Sequence, residues 1–295
     1  MKNSVARQML TEYYEISNPT EDDDFRFVEA LEYLIGSTKD PKYMCELAWF
    51  YCSKKRFDLE IKYLEMAAEY DYLPAFEELG YMYYYGQHGV TDYEKAFRYF
   101  SMGAEKDSMP DNLWCRYKLA DMYHNGYYVE KDEAKYRELI EKAYEDADPP
   151  MRLNVPFPEI AMRLAQIRVE DGDKETAVSL LKRAKYFMAE RLSVEAFWGH
   201  INVIGRIIRL LYDLIPFDED DFDFYDMFYK AGMPGRYSFE YEEERYSIEI
   251  AKEDHAVGFD GKWFRDFEEF CQKAEINGQK LTAIYDELYD WEIGA

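Results

Sequence analysis

The chain has 295 residues, 48% hydrophobic and 18% aromatic, with 61 acidic against 36 basic side chains and a formal net charge of −25. So much apolar and aromatic material excludes a disordered chain and puts the acidic excess on the surface of a folded body, which repels nucleic-acid backbones and anionic membranes. No window approaches the roughly 18 uncharged apolar residues of a membrane span, and "MKNSVARQMLTEYYE" has no apolar signal-peptide core; the expectation is a soluble, cytoplasmic protein with no direct nucleic-acid or membrane partner.

In chain order, Phe25, Val28, Leu31 and Ile35 recur at helical spacing and predict a capping helix. Next comes "CELAWFYCS", with Leu47, Ala48 and Tyr51, followed by Ile61, Leu64, Ala67 and Ala68 at i, i+3, i+6 and i+7. The same order returns with Leu79, Gly80 and Tyr83 before Ala96, Phe97, Phe100 and Ala104, and again with Leu119, Ala120 and Tyr123 before Tyr136, Leu139, Ile140 and Ala143. A unit recurring within about 20 to 50 residues signals a solenoid, here of helical hairpins. The small residue at Ala48, Gly80 and Ala120 lets two helices approach, and the tyrosine one turn later fills the gap to the next hairpin. "IAMRLAQIRVEDGDKETAVSLLKRA" reads as a fourth hairpin, with Leu164 and Ala165 before a Gly172-Asp173 turn and Ala177, Leu181 and Ala184 after it. The apolar stretch 194–215 reads as a closing helix.

The stretch "AFEELGYMYYYGQHGVTDYEKAFRYFSMGAEKD" resembles the Sel-one-like branch of the tetratricopeptide repeats, whose units join a Leu-Gly-x-x-Tyr helix to a Gly-x-Gly-Val-x-x-Asp loop and a Lys-Ala helix. Gly86, Gly89, Val90, Asp92, Lys95 and Ala96 carry the match, one residue short between Val90 and Asp92. Gly126, Val129 and Asp132 repeat it without the second glycine. The resemblance covers about 40–190 and implies a mainly α fold, a right-handed α-solenoid that binds proteins and performs no chemistry of its own.

Beyond Pro234-Gly235 the period changes. Tyr246, Ile248 and Ile250 alternate with polar positions, as do Val257 and Phe259, which predicts two strands joined near Glu253-Asp254. Trp263, Phe264, Phe267, Phe270, Cys271 and Ala274 predict a helix, and Leu281, Ile284, Tyr285, Leu288 and Trp291 a second one after Asn277-Gly278. The expected organisation is a helical solenoid over 1–232 and a small α+β module over 236–295, too small to stand alone and docked on the last solenoid helices.

The four cysteines form no CxxC pair, the four histidines fall in no ligand frame, and the acidic runs at 21–24 and 218–226 lack the glycine and distal glutamate of a calcium loop. No nucleophile, phosphate-binding or dinucleotide motif occurs, so the expectation is a non-enzymatic chain with no metal and no cofactor. In tetratricopeptide hairpins the inner helix faces the binding groove, which selects Trp49, Glu77, Tyr81, Tyr84, Tyr85, Tyr117, Asp121, His124 and Asn125 as partner-binding residues. Aromatic anchors among acids suit a basic protein or peptide segment. The expected function is therefore an interaction scaffold or adaptor. The acidity also motivates two alternatives: an inhibitor that imitates nucleic acid in a basic enzyme cleft, or an immunity protein that neutralises a toxin.

Overall fold

A computed structural model describes residues 1–89, 91–106, 112–147, 157–219 and 222–294, with the His88 side chain also outside the described set. Val90 of the loop match and two acids of the 218–226 run therefore lie outside the described residues. The chain forms two compact units, Met1–Asp146 and Ala147–Ala295. The change from helix to strand comes at Gly235, inside the second unit.

The first unit opens with α1 (Asn3–Tyr14) and α2 (Glu21–Thr38). The first was not foreseen from the sequence; it seats Ala6 and Leu10 in the core. A reciprocal capping box starts α2, in which the Thr20 hydroxyl accepts from the Asp23 amide and the Asp23 carboxylate accepts from the Thr20 amide. Three hairpins follow: α3 (Pro41–Ser53) with α4 (Phe57–Ala68), α5 (Leu73–Tyr85) with α6 (Tyr93–Ala104), and α7 (Leu113–Asn125) with α8 (Glu133–Ala147).

The last two hairpins share one loop design. Gly86 and Gly126 end their helices in the left-handed region, at φ 63° and 73°. The Asp92 amide donates to the Tyr83 carbonyl at 3.0 Å and the Asp132 amide to the Tyr123 carbonyl at 3.1 Å. Each aspartate then caps the next helix, accepting from the amides of Lys95 and Lys135. The small-residue position works as expected: a Cβ added to Gly80 would meet Phe100 Cδ1 at 2.6 Å, and the equivalent Ala120 is fully buried. Tyr83 is buried and stacks on Tyr99 with centroids 6.1 Å apart.

The second unit holds the fourth hairpin, α9 (Pro158–Glu170) and α10 (Lys174–Val194), then α11 (Trp198–Leu214) and a single turn α12 (Met227–Lys230). Gly172 turns at φ 81° and Asp173 caps α10, as the Gly-Asp pair predicts. Among the described residues every strand follows: β1 (Gly235–Tyr241), β2 (Glu244–Ile250), β3 (Val257–Phe259), β4 (Lys262–Phe264), then α13 (Phe267–Lys273), β5 (Glu275–Ile276), β6 (Gln279–Lys280) and β7 (Tyr289–Gly294). Five of them make an antiparallel sheet in the order β4-β3-β2-β1-β7, and β5 pairs with β6. One sheet face is buried through Tyr237, Phe239, Tyr241, Ile248 and Phe259; α13 packs on α11, and its Phe267 ring lies 4.8 Å from that of Phe228 on α12.

Two expectations for this part are corrected. The helix expected from Trp263 begins at Phe267, because Asp266 caps it there and Trp263 and Phe264 belong to β4. The second helix, expected over Leu281 to Trp291, does not form: the segment is turns, a 3-10 turn at Tyr285–Glu287, and β7. Leu281, Ile284 and Leu288 are buried all the same, so helical spacing reported burial without a helix. Asp260-Gly261 and Asn277-Gly278, the second of them already read as a break, have positive φ values and close two-residue hairpins β3–β4 and β5–β6.

Candidate functional site

The nine partner-binding positions divide into two environments. Trp49 on α3 and Tyr85 on α5 are 45% and 56% exposed, while Tyr117 and Asp121 on α7 are buried. Tyr81, Tyr84 and Glu77 are half-buried; His124 and Asn125 are exposed at the end of α7.

A residue that the sequence reading did not single out organises the buried part. Lys118 is 6% exposed and its Nζ lies 5.5, 5.1, 4.9 and 4.9 Å from the ring centroids of Tyr81, Tyr84, Tyr85 and Tyr117. It donates to the Tyr85 hydroxyl at 2.6 Å, and Asp121 Oδ2 stands 3.7 Å away. Four electron-rich ring faces and one carboxylate thus replace the water an ammonium loses on burial. The rings also brace one another. Tyr81 stacks on Tyr85 at 6.0 Å, and Tyr81 and Tyr84 both meet Phe100 edge-on. Burial first, and then Glu77, push the Tyr81 phenol well above its ordinary pKa; burial and Asp121 do the same to Tyr84. Both stay neutral. The only sequence hint of this cluster was a lysine one position after Tyr117 and one turn before Asp121.

Outside the cluster, Trp49 borders an acidic neighbour. Burial raises the pKa of Glu78, while a hydrogen bond from the Trp49 indole works against that rise. His124 faces Glu133 at 3.2 Å and packs on Tyr136, and the Asn125 amide donates to the Asp121 carbonyl. Cys45, Cys115 and Cys271 are buried free thiols and Cys52 is half-buried; burial pushes Cys45 up to about 12, which keeps it a thiol. Among the described residues no group of three or more His, Cys, Asp or Glu could hold a metal ion, and no helix is long and apolar enough to cross a membrane.

The Sel1 repeat family model matches residues 77–108 and 115–148, the α5–α6 and α7–α8 hairpins. No curated protein sequence matches the chain. Among solved structures, a Sel1 repeat protein from Oxalobacter formigenes aligns at 16% identity over 71% of this chain and 77% of that one, with a TM-score of 0.50. A protective antigen of uropathogenic Escherichia coli displaying an SLR fold aligns at 15% identity over 74% of this chain and 50% of that one, with a TM-score of 0.48. Sel1-repeat proteins in general act as protein-interaction scaffolds. With two hairpins built on one loop design and matched by one repeat model, this chain carries two Sel1 repeats.

Proposed function

We propose that the chain is a non-enzymatic interaction scaffold that takes a basic segment of a partner protein along the inner helices of its hairpins, with Trp49 and Tyr85 as the anchors. The observation that carries this reading is the exposure of two large aromatic side chains on the inner helices of consecutive hairpins, in a strongly acidic chain. An exposed ring costs little to order and becomes a binding hot spot once a partner covers it. Tyr81, Tyr84, Tyr117 and Asp121 act behind them, because they and Lys118 hold the Tyr85 ring in place. Glu77 and the exposed end of α7 at His124 and Asn125 supply the polar rim. The cluster centre is already filled by Lys118, so the partner's cations meet the rim and the outer face of Tyr85.

Titration of the full chain with a Lys/Arg-rich peptide and with its Glu/Asp counterpart tests the proposal. The basic peptide is expected to bind, more weakly as salt rises, and Trp49→Ala with Tyr85→Ala to weaken it by about 2 kcal/mol or more, measured at a temperature where circular dichroism shows the variant folded, since Tyr85→Ala also removes the hydroxyl to which Lys118 donates. Equal binding of the two peptides, or an unchanged affinity in the double variant, would overturn it.

A further inference from the structure

The outer face of the C-terminal sheet is polar along most of its width and ends in one exposed indole. Along one register, Trp263 on β4 pairs with Gly258 on β3, Gly258 with Glu249 on β2, and Glu249 with Arg236 on β1, so these four positions form a single row across four strands. The glycine in that row is a seat. A Cβ on Gly258 would stand 3.0, 3.1 and 3.2 Å from Cη2, Cζ2 and Cε2 of Trp263. Three consecutive ring atoms at nearly one distance mean that the face of the indole, and not its edge, lies over the glycine. With that face against the sheet the other is open, and Trp263 is 58% exposed.

A shallow cleft of about 200 Å³ runs beside the ring, with Arg236, Ser247, Glu249 and Lys262 in its lining. Its polar groups are uncommitted. Arg236 and Glu249 approach only to 3.8 Å, and among the described residues the Ser247 hydroxyl, the Lys262 ammonium and the Trp263 indole N–H make no hydrogen bond. The other half of the same face is the contrast. There Arg245 donates to Glu240 at 3.2 Å, to Asp290 at 3.1 Å and to the Ser238 hydroxyl at 3.2 Å, and it also pairs with Glu292, so those polar groups are consumed within the chain. The charges of the cleft cancel as well: Arg236 and Lys262 stand against Glu249 and Asp260, although the chain as a whole carries −25. A strongly basic or acidic partner gains little from a neutral lining. A ligand with a flat apolar side and a rim of hydroxyls gains from all of it, because the indole takes the apolar side while Glu249, Arg236 and Ser247 exchange hydrogen bonds with the rim.

We propose that this face binds a neutral, soluble oligosaccharide, with one pyranose ring lying flat on Trp263 and its hydroxyls reaching Glu249, Arg236 and Ser247. A pyranose turns a patch of C–H bonds to the indole and its hydroxyls outward, which is the division of chemistry the row presents. Strands lie about 4.8 Å apart, so the row from β4 to β1 spans roughly 14 Å, room for a short run of sugars. No residue of the Trp49–Tyr85 face takes part, so the two proposals stand or fall separately.

The test titrates the full chain with cellopentaose, chitopentaose and maltopentaose, beside sorbitol as an open-chain polyol and the Lys/Arg-rich peptide as the alternative partner. The indole N–H resonances are followed by NMR, that of Trp263 being assigned by its loss in Trp263→Phe. At least one pentasaccharide is expected to saturate and to shift the Trp263 resonance, while sorbitol and the peptide leave it in place. Trp263→Ala is expected to weaken that pentasaccharide by about tenfold or more. Gly258→Ala, which unseats the ring without removing it, should weaken it too, and Glu249→Gln is the fully exposed change that keeps the reading testable if the glycine variant melts early. Trp49→Ala with Tyr85→Ala should change nothing. Saturable binding of none of the three pentasaccharides, an equal response to sorbitol, a Trp263 shift produced by the peptide instead, or full affinity in Trp263→Ala overturns the inference.

Discussion

Gly80→Ala isolates the contact on which the repeat packing rests. A Cβ at position 80 would stand 2.6 Å from Cδ1 and 3.0 Å from Cζ of Phe100, distances real side chains do not tolerate. Phe100 is fully buried and met edge-on by Tyr81 and Tyr84, so its ring cannot swing clear without moving those neighbours. Overpacking of this kind costs about 1–3 kcal/mol, against a gain of about 0.5–1 kcal/mol from replacing glycine inside a helix. The net expectation is a loss of about 1–2 kcal/mol, read in urea unfolding followed by circular dichroism. Gly36→Ala in α2 is the matched control, since no atom lies within 4 Å of its added Cβ, and it should be neutral or slightly stabilising. Gly89 is a poorer control than its exposure suggests, because φ 91° strains any side chain there. The cost should shrink in a Phe100→Leu background, where the smaller side chain leaves room. If Gly80→Ala behaves like Gly36→Ala, or costs the same beside Leu at position 100, the close approach of α5 and α6 is not what position 80 provides.

Lys118→Met is expected to lower stability by about 3 kcal/mol, since it removes the buried ammonium that faces four tyrosine rings and the Asp121 carboxylate, 4% exposed, and adding Asp121→Asn should recover part of the loss in the same unfolding assay. Tyr81→Ala with Tyr84→Ala should also lower the unfolding midpoint, by about 3 kcal/mol or more, because both rings support Phe100 and Lys118; an unchanged midpoint would place these rings outside the packing. The Asp23 carboxyl sits below its ordinary pKa of 3.8 because the Thr20 hydroxyl and amide bind its charged form. A lowered native pKa adds stability above the ordinary value that disappears as pH falls through the lowered one, so Asp23→Asn should differ most from the parent at about pH 6, the difference shrinking as pH falls below 3.8.

The helical half of the fold was legible because its signals are local. Leu79-Gly80-x-x-Tyr83, the Gly86 stop and the Asp92 cap act within a few residues of one another, and the same code recurs at Leu119, Gly126 and Asp132. The C-terminal part was half legible for the same reason. Period-two alternation marked β2 and β3, while the segment after Asn277-Gly278 carries helix-like spacing that only the hairpin turn contradicts.

What the sequence determined by itself was the identity of the repeats and which inner-helix positions cluster: Tyr81, Tyr84, Tyr85, Tyr117 and Asp121 do come together. What they come together around was decided only by the packing of α5 on α7, which brings Lys118 to a hydroxyl 33 positions away. The buried Asp226 carboxylate depends in the same way on Lys185, 41 positions earlier. One basic residue among 36 carries no mark of its burial; whether its charge faces water or four aromatic rings depends on helix contacts that no local pattern encodes.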